Sequence, residues 1–287
     1  MQSVRAAAML LTFVILSLAV IPLQYALMAF GVKESRNIPH RYSRLLCRLF
    51  GIRVKVIGKP VDDRGVLMVS NHASYLDPVV LSAVSHASFV AKAEVRTWPL
   101  FSTLAKLHRT VFVDRARRSE VGAKRDEIRE RLAAGDALVL FPEGTSSDGN
   151  RVLSFKSALM GAAEAELGTD NSGDIRHVPV QPVSIAYVGV HGIPMGRENR
   201  PLYAWYGDME LAPHLWEAFV TGPVDAVVEF HAPMTVDSAG GRKALAQKAE
   251  AVVRAGLTRA LAGEASETHA LPPESSPAPG ELAEAVA

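Results

Sequence analysis

"VLMVSNHASYLDPVVLSAV", residues 66–84, decides how the rest of the chain is read. The run VLMVS is apolar and too short for a helix, so it reads as a buried strand. A polar turn follows, and the apolar residues resume after Pro78 as a helix over 78–85. Proline disfavours helical geometry at the residue before it and suits the first position of a helix. Asp77 therefore reads as an N-cap that accepts backbone N–H groups of the following turn. His72 has a second reading. Asp77, five residues on, can accept its Nδ1 proton and fix the tautomer. Nε2 is then left to take a proton from a hydroxyl. H-x-x-x-x-D by itself does not separate the base from the cap.

Outward from this unit, the pattern alternates. Strands are expected at 53–58, 88–92, 109–113, 137–141, 178–188 and 225–231. Helices are expected at 118–134, 154–167 and 241–261, with another broken near Pro99. Strands separated by helices predict an α/β domain with a largely parallel central sheet flanked by helices. Sites in such sheets lie outside the carboxyl ends of the strands. The buried run ALVLF ends in Pro142, Glu143 and Gly144, and RTVFV ends in Asp114 and Arg115. A turn residue and a surface ion pair are the plain alternatives for Glu143 and for Asp114 with Arg115.

Residues 6–32 carry no charge, enough for a membrane span, although Pro22 and Gln24 interrupt them. They predict an N-terminal membrane-associated helical element, either one kinked span or two shorter helices. A cleaved signal peptide fits less well, because only Arg5 precedes the run and no A-x-A pattern closes it. Eight cations follow between Lys33 and Lys59 (Lys33, Arg36, Arg41, Arg44, Arg48, Arg53, Lys55, Lys59) against one acid, Glu34. Basic residues next to an apolar block point to a membrane surface, with the downstream domain facing the cytoplasm. In residues 38–51, Tyr42, Leu45, Leu46, Leu49 and Phe50 form one helical stripe beside Arg41, Arg44 and Arg48. That pattern suits an interfacial helix, or a helix packed on the domain with a solvated basic face. The expected organisation is an anchor and basic helix at 1–51, a catalytic domain at 52–262, and a disordered Pro-, Ser- and Glu-rich tail at 263–287.

Several chemistries lack their letters. There is no G-x-S-x-G elbow, no phosphate loop of the G-x-x-x-x-G-K type and no G-x-G-x-x-G. The histidines are scattered and Cys47 is the single cysteine, so no metal and no cofactor are expected. Arg117, Arg118, Lys124 and Arg125 alternate with Glu120, Asp126, Glu127 and Glu130, a solvated helix face that implies no nucleic acid.

In order, the segments NHASYLDP, FVDR, FPEGTSS and VPVQPV, behind an apolar N-terminus, resemble the glycerolipid acyltransferase family, which includes the 1-acylglycerol-3-phosphate acyltransferases. The resemblance covers roughly residues 36–262. It implies that His72 is the general base on an acceptor hydroxyl and that Asp77 orients it. The hydroxyl attacks acyl-CoA or acyl carrier protein directly, and membrane lipids are the partners. It further implies acceptor binding by Arg115, Glu143, Gly144, Thr145 and Ser146, and an acyl-chain wall around Pro179 and Pro182. The family commonly reads F-P-E-G-T-R-S, and here the arginine position is Ser146. A guanidinium grips a phosphate bidentately, whereas a hydroxyl offers one neutral donor. Either Arg151 or Lys156 substitutes, or the acceptor is not a phosphate monoester. The stretch SSDGNRVLSFKSALMGAAE resembles the branch that acylates lyso-ornithine lipid. A lipid-binding protein of the same fold without turnover is the alternative.

Overall fold

The protein, seen here in a computed structural model, is described over residues 2–98, 101–113, 118–169, 173 and 175–265. Its main sheet contains β1 (Ile52–Ile57), β2 (Val66–Ser70), β3 (Ala87–Lys92), β4 (Val111–Val113), β5 (Ala137–Leu140), β8 (Val180–Val190) and β10 (Val224–Phe230). Their order is β1-β10-β8-β2-β5-β3-β4. From β8 to β4 all neighbours are parallel. β10 runs antiparallel to β8, and β1 pairs parallel with β10. The sheet is thus largely parallel, with one antiparallel seam. Two small additions, β6 (Glu166–Thr169) with β7 (Ile175–His177) and β9 (Ile193–Pro194) on β8, complete the strands.

β2 is buried along its whole length. Val66 and Met68 join one hydrophobic cluster while Leu67 and Val69 join another, the alternation expected of a central strand covered on both faces. The second cluster lies under α5 (Arg118–Ala133) and α8 (Arg242–Leu261), which supply Ile128, Leu132, Leu245, Val253 and Leu257. The first lies under α3 (Asp77–Val84), α6 (Leu211–Thr221) and the two N-terminal helices.

Those two helices are α1 (Gln2–Ala29) and α2 (Ile38–Phe50). α1 is a single helix that continues through Pro22, long and apolar enough to cross a membrane. One narrow face is inside the protein: Ala6, Phe13, Ser17 and Gln24 are buried. Ser17 Oγ lies 2.6 Å from the Tyr42 hydroxyl, and Phe13 meets Phe50 edge-on at 5.6 Å. Leu11, Ile15, Leu18 and Leu23 remain exposed. The apolar stripe of α2 is largely core. Tyr42, Leu46 and Phe50 are buried against the domain, Leu45 is exposed, and Arg44 Nε donates to the Ala83 carbonyl at 3.0 Å.

Three expectations on local structure are corrected. Residues 154–167 are not one α-helix. A 3₁₀ segment spans Ser157–Glu164 and β6 begins at Glu166. Its bonds are of the shorter i→i+3 kind, Leu159 N–H to Lys156 and Ala165 N–H to Ala162. α6 fills the connection to β10, where no element was expected. Asp77 does not act as an N-cap: α3 starts at Asp77 itself, and the carboxylate turns back to the loop before the helix. Pro99, Asp114 and Arg115, and the tail beyond 265, lie outside the described residues.

Candidate active site

The loop after β2 folds around one carboxylate. Asp77 is fully buried, and its Oδ2 accepts the N–H groups of Ala73 at 2.7 Å and Ser74 at 2.9 Å. The same oxygen lies 2.8 Å from His72 Nδ1. Oδ1 accepts the Tyr187 hydroxyl at 2.7 Å, from β8 across the sheet. Three other donors already aim at this carboxyl group, so the hydrogen of the fourth contact is assigned to His72 Nδ1, which leaves Nε2 as the basic nitrogen. The His72 ring stacks on Phe141 at 4.2 Å, which fixes its plane, and its side chain is 24% exposed, so the ring can be reached. Asn71 ties the base of the loop to β8, giving Nδ2–H to the Ile185 carbonyl and accepting the Ile185 N–H, both at 2.9 Å.

The loop after β5, the neighbour of β2, comes to the same place. Ser147 N–H donates to the His72 carbonyl at 2.8 Å. Gly144 has φ 74°, a left-handed conformation that glycine adopts without the Cβ penalty. Glu143 lies beneath. It is 1% exposed, and its Oε1 accepts the His72 N–H at 3.4 Å. Its Oε2 has no protein partner among the described residues. Burial pushes its carboxyl up to about 8, against the opposing pull of the His72 and Leu153 N–H groups. At neutral pH Glu143 is therefore a neutral acid that supports the His72 loop from below.

A cavity of about 520 Å³ opens beside His72. Gly144, Thr145 and Ser146 form one wall, and Tyr75, Trp98 and Trp205 stand nearby. The remaining lining is mainly apolar and comes partly from the N-terminal helices, with Phe13, Leu46 and Phe50 joined by Phe89, Leu104 and Phe219. At the carboxyl end of β3, Lys92 and Glu94 also line it.

Of the residues expected at the site, His72, Gly144, Thr145 and Ser146 meet at this cavity, with Asp77 directly behind the histidine. Glu143, expected in acceptor binding, lies beneath the His72 loop, where its Oε1 accepts the His72 N–H, and is not among the cavity-lining residues. Lys156 is exposed and outside the lining. Its backbone N–H is bonded to the Pro142 carbonyl, which fixes the chain there. Arg151 is exposed near Asp148, also outside the lining. Pro179 and Pro182 do not wall the cavity. Pro182 is inside β8, in register with Val69 of β2, and Pro179 precedes that strand and accepts the Leu67 N–H. The apolar wall is built instead from α1, α2 and α4 (Phe101–Leu107). Arg115 lies outside the described residues. Sequence reasoning missed Tyr187, Lys92 and Glu94. Lys92 was legible as a polar residue ending the strand SFVAK, whereas Tyr187 sits mid-strand with no local signal.

A family model described as Acyltransferase matches residues 33–186. The chain is 48% identical over 261 residues to a lyso-ornithine lipid O-acyltransferase of Brucella abortus (strain 2308), covering 91% of this chain and 97% of the relative. It is 39% identical over 260 residues to an enzyme of the same name from Rhizobium meliloti (strain 1021), covering 91% and 88%. The crystal structure of the 1-acyl-sn-glycerophosphate (LPA) acyltransferase from Thermotoga maritima superposes with a TM-score of 0.62 at 26% identity, covering 90% of this chain and 97% of that one. A histidine hydrogen-bonded to a buried aspartate beside an apolar cavity fits these relatives, and the chain belongs to the acyltransferase family.

Proposed function

We propose that this enzyme transfers a fatty acyl group from acyl-CoA or acyl carrier protein to the free hydroxyl of lyso-ornithine lipid. The observation that carries the reading is the commitment of His72 Nδ1 to Asp77, which leaves Nε2 as the base at the mouth of an apolar cavity. Nε2 removes the hydroxyl proton as the oxygen attacks the thioester carbonyl carbon. The C–S bond then breaks, and the imidazolium returns the proton to the departing thiolate. Asp77 stabilises that imidazolium, and no acyl-enzyme is formed. Ser146, which brings no charge to the cavity, and 48% identity to the Brucella enzyme both favour an acceptor without a phosphate monoester.

The exposed apolar side of α1 and the cations that follow it support a location at the cytoplasmic membrane, with the catalytic face toward the cytoplasm. Acceptor and product are then in the same layer as the cavity mouth. Purified enzyme in lipid vesicles, supplied with acyl donor and either lyso-ornithine lipid or lysophosphatidic acid, tests the assignment. Turnover of the first is expected. Turnover of lysophosphatidic acid alone would refute it. His72→Ala should abolish transfer while vesicle binding persists, and a variant that still transfers would refute the base.

A further inference from the structure

We infer that Glu94 and Lys92 together read the zwitterionic headgroup of the acceptor, Glu94 taking the ornithine ammonium and Lys92 the carboxylate; this rests on the lyso-ornithine reading above. Among the described lining residues these two carry the cavity's opposite charges, the histidines aside. Neither side chain makes an ion pair or hydrogen bond among the described residues, with each other or with a neighbour. The nearby cation Arg96 is turned elsewhere, its guanidinium 5.0 Å from the Phe112 ring centre and outside the lining.

Two unpaired charges of opposite sign fit one kind of ligand. A phosphate monoester brings roughly two negative charges and calls for converging cations. Among the described residues this lining offers one cation and one anion, and the anion would repel such a group. Ornithine acylated on one amine keeps one carboxylate and one ammonium, a net charge of zero that matches the pair.

The placement also suits a headgroup joined to the reacting hydroxyl. In the sheet order β2-β5-β3, the strand that ends in Lys92 lies two positions from the strand that ends at the His72 loop. At about 4.8 Å per position the two ends are about 10 Å apart. The acceptor would lie across the end of β5, over Gly144–Ser146, with its hydroxyl at His72 and its charges at the end of β3.

The test is a cycle between enzyme and substrate. Wild type and Glu94→Gln are assayed with lyso-ornithine lipid and with the same lipid acetylated on its free amine. Acetylation should raise the wild-type KM about tenfold, between the value of an exposed ion pair and that of a charge-assisted hydrogen bond. Glu94→Gln should show that raised KM with the unmodified lipid and no further rise on acetylation, with kcat little changed. Glu94→Asp should restore part of the discrimination. If acetylation costs the variant as much as it costs wild type, or if Glu94→Gln leaves both KM values unchanged, Glu94 does not see the ammonium and the inference falls alone. If wild type does not acylate lyso-ornithine lipid, the functional reading falls with it.

Discussion

Replacing Glu143 by glutamine removes a proton-binding site while keeping the side chain's shape, and its effect on pH-dependent stability can be worked out. The Glu143 carboxyl is raised from 4.5 to about 8 by burial, so the folded protein holds a proton that the unfolded chain releases across that window. Its contribution to stability is therefore complete below about pH 4.5 and is lost as pH rises through about 8. Two buried histidines work in the opposite direction. Burial pushes His108 and His231 down to about 4 from 6.5. In that window the unfolded chain binds protons the folded one refuses, so stability rises with pH up to about 6.5.

Between pH 6.5 and 8 the unfolded histidines shed their remaining protons equally in wild type and in Glu143→Gln, so the difference between the two proteins reports Glu143. One pKa unit corresponds to about 1.4 kcal/mol, so the 1.5 units of that window, 8 minus 6.5, amount to about 2 kcal/mol. For a chain of this size that is a fall in melting temperature of about 4 °C. Thermal melts of wild type and Glu143→Gln in one detergent, at pH 6.5 and 8, should differ by about that amount in their pH response. The glutamine protein should be the flatter of the two. Its amide oxygen still accepts the His72 N–H, so turnover at pH 7 should fall by less than about tenfold. Parallel melting curves over this window would refute the neutral acid beneath His72, because a carboxylate already ionised at pH 6.5 gives no such slope.

Three further outcomes follow from the same geometry. Asp77→Asn lets the imidazole adopt the wrong tautomer, so kcat should fall by about 10³-fold or more while circular dichroism stays native. Tyr187→Phe strips Asp77 Oδ1 of its buried donor; a stability loss of about 2 kcal/mol by denaturant titration and a lower kcat at unchanged KM are expected, and a normal kcat would show that Tyr187 is structural only. Gly256→Ala would place its Cβ 2.2 Å from Ser184 Oγ and 2.8 Å from the His231 ring, where α8 crosses β8 and β10. It should cost about 1–3 kcal/mol in a melt, with the specific activity of the folded fraction unchanged, since this contact is on the face of the sheet opposite α1.

What could be read from the sequence, and what could not, divides by the range of the interactions. β2, β5 and α5 lie within a residue of their expected bounds because each is written in a contiguous run: a short apolar stretch, or a polar helix closed by Gly135. His72 and Asp77 were legible for the same reason, being five residues apart in one loop. The donors that make Asp77 a dependable carboxylate are another matter. Two are backbone groups, and the third, Tyr187, is 110 residues away, inside a strand whose letters say only that it is buried. The apolar wall of the cavity was illegible for a similar reason. Pro179 and Pro182 were expected as a wall because the family resemblance implies it, yet a strand between β2 and β10 has both edges occupied by neighbouring strands. Phe13, read by hydropathy as part of the apolar N-terminal element, and Phe50, read on the amphipathic stripe of residues 38–51, line the cavity instead because one face of α1 packs across α2 and α6. Hydropathy reports that a side chain leaves water without reporting whether lipid or protein receives it. Here the face bearing Phe13 and Ser17 meets protein while Leu11 and Leu18 are left exposed. The long apolar helix is therefore also a wall of the cavity, so removing it would open the cavity beside His72.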